Sequence, residues 1–165
     1  MRQKHSGDSG MVCINHLERK HIYKIMEWRN AQIKWLRQKE PLTREQQERW
    51  FGGYIDGLDS YCPKSYLYAI YKDRIFVGYG GLVHINWDKM SAEVSFLLDP
   101  QIKIYNHIYA EFMRLLKMQA IKKLGITTLT SETHIGRLYH IWLLWLNGWK
   151  CVDYNKTSVL HRMAV

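Results

Sequence analysis

The sequence predicts an α+β fold, in which a mixed, mostly antiparallel sheet with a central parallel β-α-β unit is flanked by helices. Three features of the chain predict it. A short strand precedes two helical stretches, three strands joined by short turns come next, and a long helix separates the last of these from a β-branched strand. A helix between two strands of one sheet makes them parallel neighbours through a right-handed crossover. The unit over residues 91–132 is therefore predicted to be parallel.

The first half of the chain carries the helical pair and three antiparallel strands. The predicted elements are a strand over 11–17, a helix over 18–29, a second helix after Pro41, and strands over 65–71, 75–85 and 91–98. Thr43 and Gln46 form a capping-box pattern at the start of the second helix. Its apolar side chains are expected on one face: Trp50, Phe51, Tyr54, Ile55 and Leu58. Glycines at 78, 80 and 81 indicate a bulge or a close backbone approach.

The second half begins with a long helix over residues 105–124, and Gly125 suits its C-terminal end. The residues expected on the buried face of this helix are Ile108, Phe112, Leu115, Leu116 and Gln119. The elements that follow are a strand over 126–132, a helix over 136–146, and a hairpin of strands 149–153 and 157–164.

Length and composition indicate one domain, over residues 11–165. The chain has 165 residues, of which 47% are apolar, enough for a buried core. Residues 1–10 are polar and are expected to form a disordered extension rather than a signal peptide. No apolar run reaches the length of a membrane span. The three cysteines include no CxxC pair, so we expect reduced thiols, no metal site and a cytoplasmic location.

The formal net charge of +9 favours polyanionic partners or a ligand that carries phosphates. The Lys and Arg residues are scattered, and no aromatic RNA-binding motif accompanies them, so nucleic acid is an unlikely partner. A solvated basic surface would explain the charge equally well.

Several short motifs resemble the GNAT acetyltransferases, in the branch that includes ribosomal-protein and amino-sugar N-acetyltransferases. The motifs, in chain order, are Glu27-Trp28-Arg29-Asn30, Pro41-Leu42-Thr43 before Trp50-Phe51, Gly78 with Gly80-Gly81, Ala92 to Phe96, and Leu146 to Trp149. The resemblance covers residues 14–152. It implies the same fold, acetyl-CoA as co-substrate, and strands 91–98 and 126–132 that splay apart to admit the pantetheine.

Two positions depart from this family. The family's glycine-rich loop, whose N–H groups hold the CoA pyrophosphate, is replaced by a glycine-free stretch over residues 99–107. The family's frequent Tyr, which protonates the leaving thiolate, is replaced by Leu144. A similar sub-branch, whose members tend to be assigned to surface-sugar biosynthesis, shares both departures and the Glu132-Thr133, Arg137 and His140-Ile141 pattern.

The resemblance also suggests which groups act in catalysis. Glu132, at the end of its predicted strand, is the first candidate base, and a surface carboxylate or a cap of the following helix is its structural alternative. Glu93 is the second candidate base, and a carboxylate on the exposed face of its strand is its alternative. His140 is expected to titrate near neutrality and to give the thiolate a proton, with Tyr139 as the alternative donor. Backbone N–H groups near Leu97 or Leu98 would polarise the thioester.

The remaining candidates bind the cofactor or the acceptor. Candidate cofactor-binding residues are Phe96, Leu97, Leu98, Lys103, Tyr105, Asn106, His107, Tyr109 and Arg137. Candidate acceptor-binding residues are Trp28, Arg29, Asn30 and Trp35, with Lys34 and Arg37 nearby. For Trp28 and Trp35, packing at a hinge is an equally good interpretation.

These residues predict an enzyme that transfers acetyl from acetyl-CoA to a primary amine on a small, anionic molecule. The best candidate is an amino-sugar nucleotide of surface-polysaccharide biosynthesis. The alternatives are a protein N-acetyltransferase of the ribosomal-protein type and a basic binding module with a decayed CoA loop. A monomer or a homodimer is expected.

Overall fold

The computed structural model describes residues 10–165, so the extension expected over residues 1–10 lies, apart from Gly10, outside the described residues. Seven strands form one sheet in the order β1-β2-β3-β4-β5-β7-β6. The strands are β1 Val12–His16, β2 Tyr66–Lys72, β3 Ile75–Asn86, β4 Ser91–Leu98, β5 Thr128–His134, β6 Lys150–Tyr154 and β7 Ser158–Ala164. Among the strands of residues 10–165, only β4 and β5 pair in parallel. The predicted α+β fold with a parallel β-α-β unit is confirmed.

The helices agree with the predicted order but are shorter at several ends. They are α1 Ile22–Ala31, α2 Arg44–Leu58, α3 Tyr105–Leu116, α4 Lys122–Leu124 and α5 Leu138–Leu146. Short 3-10 turns, Arg19–His21 and Ile33–Trp35, precede and follow α1. A π-helical segment, Lys117–Ile121, joins α3 to α4.

Helix α2 begins as predicted and buries part of the predicted face. Thr43 accepts a hydrogen bond from the Gln46 backbone N–H, and the Gln46 side chain accepts from the Thr43 N–H, which completes the capping box. Tyr54 and Gln47 are buried, whereas Trp50 and Ile55 are exposed. Phe51 and Leu58 pack beside Tyr54, as predicted. The prediction was wrong for Trp50 and Ile55, because the helix packs on the sheet along the side that carries Gln47 and Tyr54.

The long helix also buries a shifted face near its C-terminal end. Gln119 is exposed, contrary to prediction, and Ala120 and Ile121 are buried instead. A π-helical turn contains more residues than an α-turn, so it displaces the side chains that follow it around the axis. Gly125 ends the helix with a φ of 70°, the left-handed conformation expected of a C-terminal glycine.

The sheet separates two layers of helices. Tyr54, Trp28 and Ile25 of α1 and α2 pack with Leu97 of β4. On the opposite face, α3 and α5 pack on the even-numbered side chains of β4: Val94, Phe96 and Leu98. Successive side chains of a strand point to opposite faces, so odd-numbered β4 residues face α1 and α2.

Strands β4 and β5 separate after a short paired segment. Their pairing comprises Ser91 with Thr128, Ala92 with Leu129, and Glu93 with Thr130. Beyond that point β4 remains paired with β3, and β5 remains paired with β7 as far as His134. The predicted divergence is confirmed, and it leaves a gap between the C-terminal halves of β4 and β5.

Candidate active site

The gap is bordered by backbone groups of β4 that no strand in residues 10–165 pairs with. A Cβ added to Gly78 or Gly80 of β3 would collide with the carbonyl oxygen of Leu97 or Ser95, respectively. Those carbonyls therefore point towards β3. Because backbone groups alternate along a strand, the N–H and C=O groups of Val94, Phe96 and Leu98 face the gap. Leu97, one of the two expected N–H donors, faces β3, whereas Leu98 faces the gap.

One of these backbone acceptors is already occupied. Gln32, between α1 and the 3-10 turn, donates through Nε2 to the carbonyl oxygen of Leu98 at 2.8 Å. This hydrogen bond connects the residue after α1 to the last residue of β4, at the C-terminal end of the gap. The Val94 N–H belongs to the last paired step of β4 with β5, next to Glu93 and Thr130. The Val94 carbonyl and the backbone groups of Phe96 lie beyond this step and face the gap.

Two carboxylates lie where the pairing of β4 and β5 ends, on the face towards α1 and α2. Arg37 Nη2 donates to Glu93 at 3.0 and 3.2 Å and also contacts a Glu132 oxygen. Ser158 Oγ of β7 donates to the other Glu132 oxygen at 2.7 Å. The Ser158 hydroxyl and then Arg37 hold the pKa of Glu132 below its ordinary value, so Glu132 is ionised at neutral pH. The two candidate bases, Glu93 and Glu132, thus meet at one Arg37 nitrogen, and we call these two carboxylates the acid pair.

An aromatic surface lies near the acid pair on the same face. The Trp35 ring meets the His134 ring edge-on, with centroids 5.5 Å apart. Lys34 Nζ lies 4.4 Å from the Trp35 ring centroid, within the range of a cation–π contact. Trp35, expected to bind the acceptor, is half-buried here, and its position is compatible with that role.

The other three expected acceptor residues make structural contacts. Trp28 is buried against Phe76 in the core beneath α1. Asn30 accepts from the Leu42 N–H at 2.8 Å and donates to the Leu42 carbonyl at 3.0 Å, which fastens the loop before α2. Arg29 donates to Tyr79 Oη at 2.9 Å and to Gln38. Trp28, Arg29 and Asn30 therefore have structural contacts in this structure, and their role in ligand binding stays a prediction.

A buried polar cluster lies on the opposite face of the sheet, between α3 and α5. Arg137 Nη2 donates to Tyr105 Oη at 3.0 Å, and this hydroxyl lies 3.3 Å from His140 Nδ1. Burial raises the pKa of Tyr105 to about 12, so its hydroxyl stays protonated. Burial, with the nearby Arg137 and His161, lowers the pKa of His140 to about 3. The expectation that His140 titrates near neutrality is therefore wrong: the ring is neutral.

Aromatic side chains connect this His140 cluster to the gap. The Phe96 ring packs edge-on against Tyr105 and Tyr109, with centroids 5.4 and 4.9 Å apart. Tyr109 is buried, and burial raises its pKa. Tyr139 is half-exposed and meets the Tyr105 ring edge-on from outside. Leu144, at the family's usual tyrosine position, is fully buried.

The glycine-free loop forms a turn of its own before α3. The Asp99 carboxylate accepts from the Gln101 N–H at 2.9 Å, and the Asp99 carbonyl accepts from the Ile102 N–H at 3.0 Å. Helix α3 then begins without a side-chain cap, so its first-turn N–H groups are free for an anion. Lys103 is exposed beside this end.

The remaining predicted cofactor residues at this end have partners elsewhere. Asn106 accepts a hydrogen bond at 3.2 Å from Asn147, the residue that follows α5. His107 Nε2 lies 3.2 Å from the Gly10 carbonyl oxygen, towards β1 and away from the gap. His107 is therefore poorly placed for the cofactor.

Three residues of the site were not identified in these roles from the sequence: Gln32, Arg37 and Ser158. Arg37 had been grouped with cations for the acceptor, and neither Gln32 nor Ser158 had been singled out. No periodicity or motif marks them, because their partners are 56 to 95 residues away for Arg37, 66 for Gln32 and 26 for Ser158. Their roles depend on the positions of β4 and β5 in the sheet.

Three general features complete the description. No helix within residues 10–165 is long and apolar enough to cross a membrane. The described part of the chain holds no group of three or more His, Cys, Asp or Glu side chains suited to a metal ion. Cys13, Cys62 and Cys151 are free thiols, and the last two are exposed.

Known structures similar to this chain carry the same fold. Spermidine N-acetyltransferase from Vibrio cholerae, in complex with CoA and spermine, has a TM-score of 0.76 at 14% identity over 93% of this chain and 95% of that chain. FdhC, a nucleotide-linked sugar GNAT, has a TM-score of 0.78 at 14% identity over 94% and 87%. RimL, a ribosomal L7/L12 α-N-protein acetyltransferase in complex with CoA, has a TM-score of 0.77 at 11% identity over 93% and 94%.

A match of the sequence to a known family establishes the family of the chain. No curated protein sequence matches the chain. Residues 12–136, most of the chain, match the family described as the acetyltransferase (GNAT) domain. The chain belongs to this family of GNAT acetyltransferases and is an acyltransferase.

Proposed function

We propose that the chain transfers an acetyl group from acetyl-CoA to a primary amine, and that the acceptor is an amino-sugar nucleotide used in surface-polysaccharide biosynthesis. One observation carries the proposal: the paired segment of β4 and β5 ends at Glu93 and Thr130, beside the acid pair. This end of the gap offers open backbone groups, while the adjoining carboxylates can receive an amine.

The residues along the gap fit CoA. Acetyl-CoA supplies the acetyl group as a thioester. The Val94 carbonyl and the Phe96 N–H and carbonyl, which lie beyond the paired segment, offer a donor and acceptors to the two pantetheine amides. The uncapped start of α3 attracts an anion through its N–H groups and dipole, although the loop before it lacks glycine. Lys103 and Arg137 add positive charge near that end.

The acid pair suits deprotonation of the acceptor. A primary amine is mostly an ammonium ion at neutral pH, so a proton must be removed before it can attack. Glu132, ionised because of Ser158 and Arg37, can hold this ammonium and accept a proton from it directly or through water. Glu93 is the second base, at hydrogen-bond distance from the same Arg37 nitrogen.

The His140 cluster lies on the cofactor side of the sheet and is proposed to act without becoming charged. Because His140 is neutral, it can orient the Tyr105 hydroxyl but does not store a proton at pH 7. The Tyr105 hydroxyl is protonated and receives a hydrogen bond from Arg137, which makes it the better proton donor of the two. Tyr139 remains a more exposed alternative.

Charge and aromatic surface support the choice of acceptor. Trp35, with Lys34 over its ring, offers a stacking surface next to the acid pair, and the net charge of +9 favours a phosphorylated ligand. FdhC, which shares the fold, is described as a nucleotide-linked sugar GNAT. Acetylation of a protein N-terminus, the activity of RimL, is the competing acceptor class.

A cytoplasmic homodimer is proposed as the working form. Helix α5 has no Asp, Glu, Lys or Arg and exposes five large side chains: Leu138, Tyr139, Trp142, Trp145 and Leu146. At their exposed fractions these side chains form an apolar patch on the order of 500 Å², most of the ~800 Å² that each partner of a stable pair buries. Sedimentation should show a dimer that Trp145→Glu dissociates; a monomeric wild type would contradict this.

Thermal-shift measurements with acetyl-CoA, followed by an acceptor panel, test the proposed function. At a hundredfold excess over Kd, a ligand stabilises the native state by about 2.7 kcal/mol. Acetylation of amino-sugar nucleotides is the expected result. Acetylation of peptides alone would favour the hypothesis of a protein acetyltransferase. No thermal shift at millimolar acetyl-CoA would favour a non-catalytic binding module.

A further inference from the structure

Arg37 contacts both carboxylates of the acid pair through a single nitrogen. It lies in the loop between the 3-10 turn Ile33–Trp35 and α2, and its side chain is 59% exposed. A single nitrogen, Nη2, contacts both oxygens of Glu93 and one oxygen of Glu132. Arginine usually meets a carboxylate with two nitrogens, in a forked arrangement. Here one nitrogen meets three oxygens, which is the arrangement expected of an ammonium group with its three donors.

The site requires a cation but does not require this one. Two carboxylates that meet at one nitrogen are held together by the positive charge between them, which Arg37 supplies in this structure. Exposed ion pairs contribute only ~0–1 kcal/mol, because water screens them. An incoming ammonium ion that supplies the same contacts can therefore replace the Arg37 guanidinium at little cost.

The two carboxylates also lie where the acceptor nitrogen must arrive. They sit on the α1 and α2 face of the sheet, at the point where β4 and β5 part. Ser158 fixes one side of Glu132 through its hydrogen bond, so the carboxylate keeps its orientation when Arg37 leaves.

We propose that Arg37 is a specificity residue that occupies the ammonium site of the free enzyme and is exchanged for the acceptor. The acceptor's ammonium group takes its place between Glu93 and Glu132, and the released guanidinium pairs with a phosphate of the same acceptor. The acceptor class is therefore a phosphorylated amine that carries both charges. This inference rests on the proposed function, because it assigns the amine to the acid pair.

The exchange explains how a site with two carboxylates selects an anionic acceptor. An amine without phosphate must displace Arg37 and leaves its guanidinium without a partner. A phosphorylated amine displaces Arg37 and gives it a new one. Selection thus depends on the second charge of the ligand as well as on the amine.

Calorimetry on the full chain with saturating CoA tests this exchange, with glucosamine and glucosamine 1-phosphate as matched probes. Wild type should bind the phosphate form about tenfold more tightly. Arg37→Gln should bind glucosamine about tenfold more tightly than wild type does, because the acid pair is vacant, and glucosamine 1-phosphate about tenfold more weakly. Lys39→Gln, an exposed cation of the same loop, should leave both affinities unchanged.

The opposite signs distinguish exchange from a simple loss of charge. The inference is overturned if Arg37→Gln lowers the affinity for both probes or changes neither affinity. It is also overturned if neither probe binds to wild type or variant. Arg37→Lys provides a second check, since its ammonium group can still fill the site and should retain most of the preference for phosphate. Melting curves establish that each variant is folded.

Failure of the proposed function has a different signature. If the two probes respond as expected but no amino-sugar nucleotide is acetylated, the nucleotide assignment fails and the role of Arg37 stands. If amino-sugar nucleotides are acetylated and Arg37→Gln leaves the ratio of the two affinities unchanged, the proposed function stands and the exchange is refuted.

Discussion

Replacing Glu132 by glutamine should separate catalysis from stability. Glu132→Gln preserves the shape of the side chain but removes its negative charge. Glutamine can still receive the Ser158 hydroxyl hydrogen bond, and Arg37 keeps its contacts with Glu93. Because the Glu132 side chain is 37% exposed, the lost ion pair should reduce the free energy of unfolding by less than ~1 kcal/mol.

Turnover should fall far more than stability. A general base typically contributes ~10²–10⁴-fold to the rate, and this is the decrease in kcat expected for Glu132→Gln. The assay is the release of free CoA thiol with a saturating acceptor from the panel, beside a thermal melt of the same preparation. Glu40→Gln, an exposed carboxylate on the loop before α2, is the matched control. A kcat within threefold of wild type would refute the assignment and move the base to Glu93 or to solvent.

Ser158 supplies an independent check through the pH profile. The rate requires ionised Glu132, so kcat/KM should fall as the pH drops through the pKa of this residue. The Ser158 hydroxyl is the largest cause of the lowered pKa, and Ser158→Ala should therefore move the acid limb to higher pH. An unmoved acid limb would show that a different group titrates.

Three further predictions concern stability and the acceptor. Thr43→Ala should lower the free energy of unfolding by ~1 kcal/mol, because it removes the cap of α2, whereas Thr43→Ser should not; equal melts would refute the capping role. The pKa of His140 is about 3 in the folded state, which is below its value in the unfolded chain. The free energy of unfolding should therefore decrease as the pH falls below ~6.5, by up to ~1.4 kcal/mol per pH unit. In acid-denaturation curves, His140→Gln should reduce this slope. KM for a phosphorylated acceptor should rise with salt, since exposed charge contacts are screened over ~8–10 Å; a salt-independent KM would contradict a charge-based acceptor site.

The element order could be predicted from local patterns. The capping box at Thr43, the C-terminal Gly125 and the turns between β2, β3 and β4 are all short-range signals, and each is found where it was expected. Hydrophobic periodicity was less reliable where packing departs from an ideal helix. The face of α2 and the shift after Leu116 depend on how each helix meets the sheet, which no local window contains.

The candidate site could be predicted only in part. Glu93 and Glu132 were identified from their strand positions, and the sheet brings them to one guanidinium. Trp28 and Asn30 belong to a family motif, but a motif does not distinguish a residue that binds ligand from one that packs or fastens a loop. The ionisation of His140 depends on burial by α3 and α5 and therefore could not be inferred from residue type.

A crystal structure of the chain grown with acetyl-CoA would show whether the gap between β4 and β5 is the cofactor site. We expect pantetheine along the gap-facing edge of Val94 and Phe96, the acetyl group beside Glu93 and Glu132, and phosphates near the start of α3. A structure in which β4 and β5 enclose no ligand at millimolar acetyl-CoA, or in which CoA binds outside this gap, would contradict this expectation.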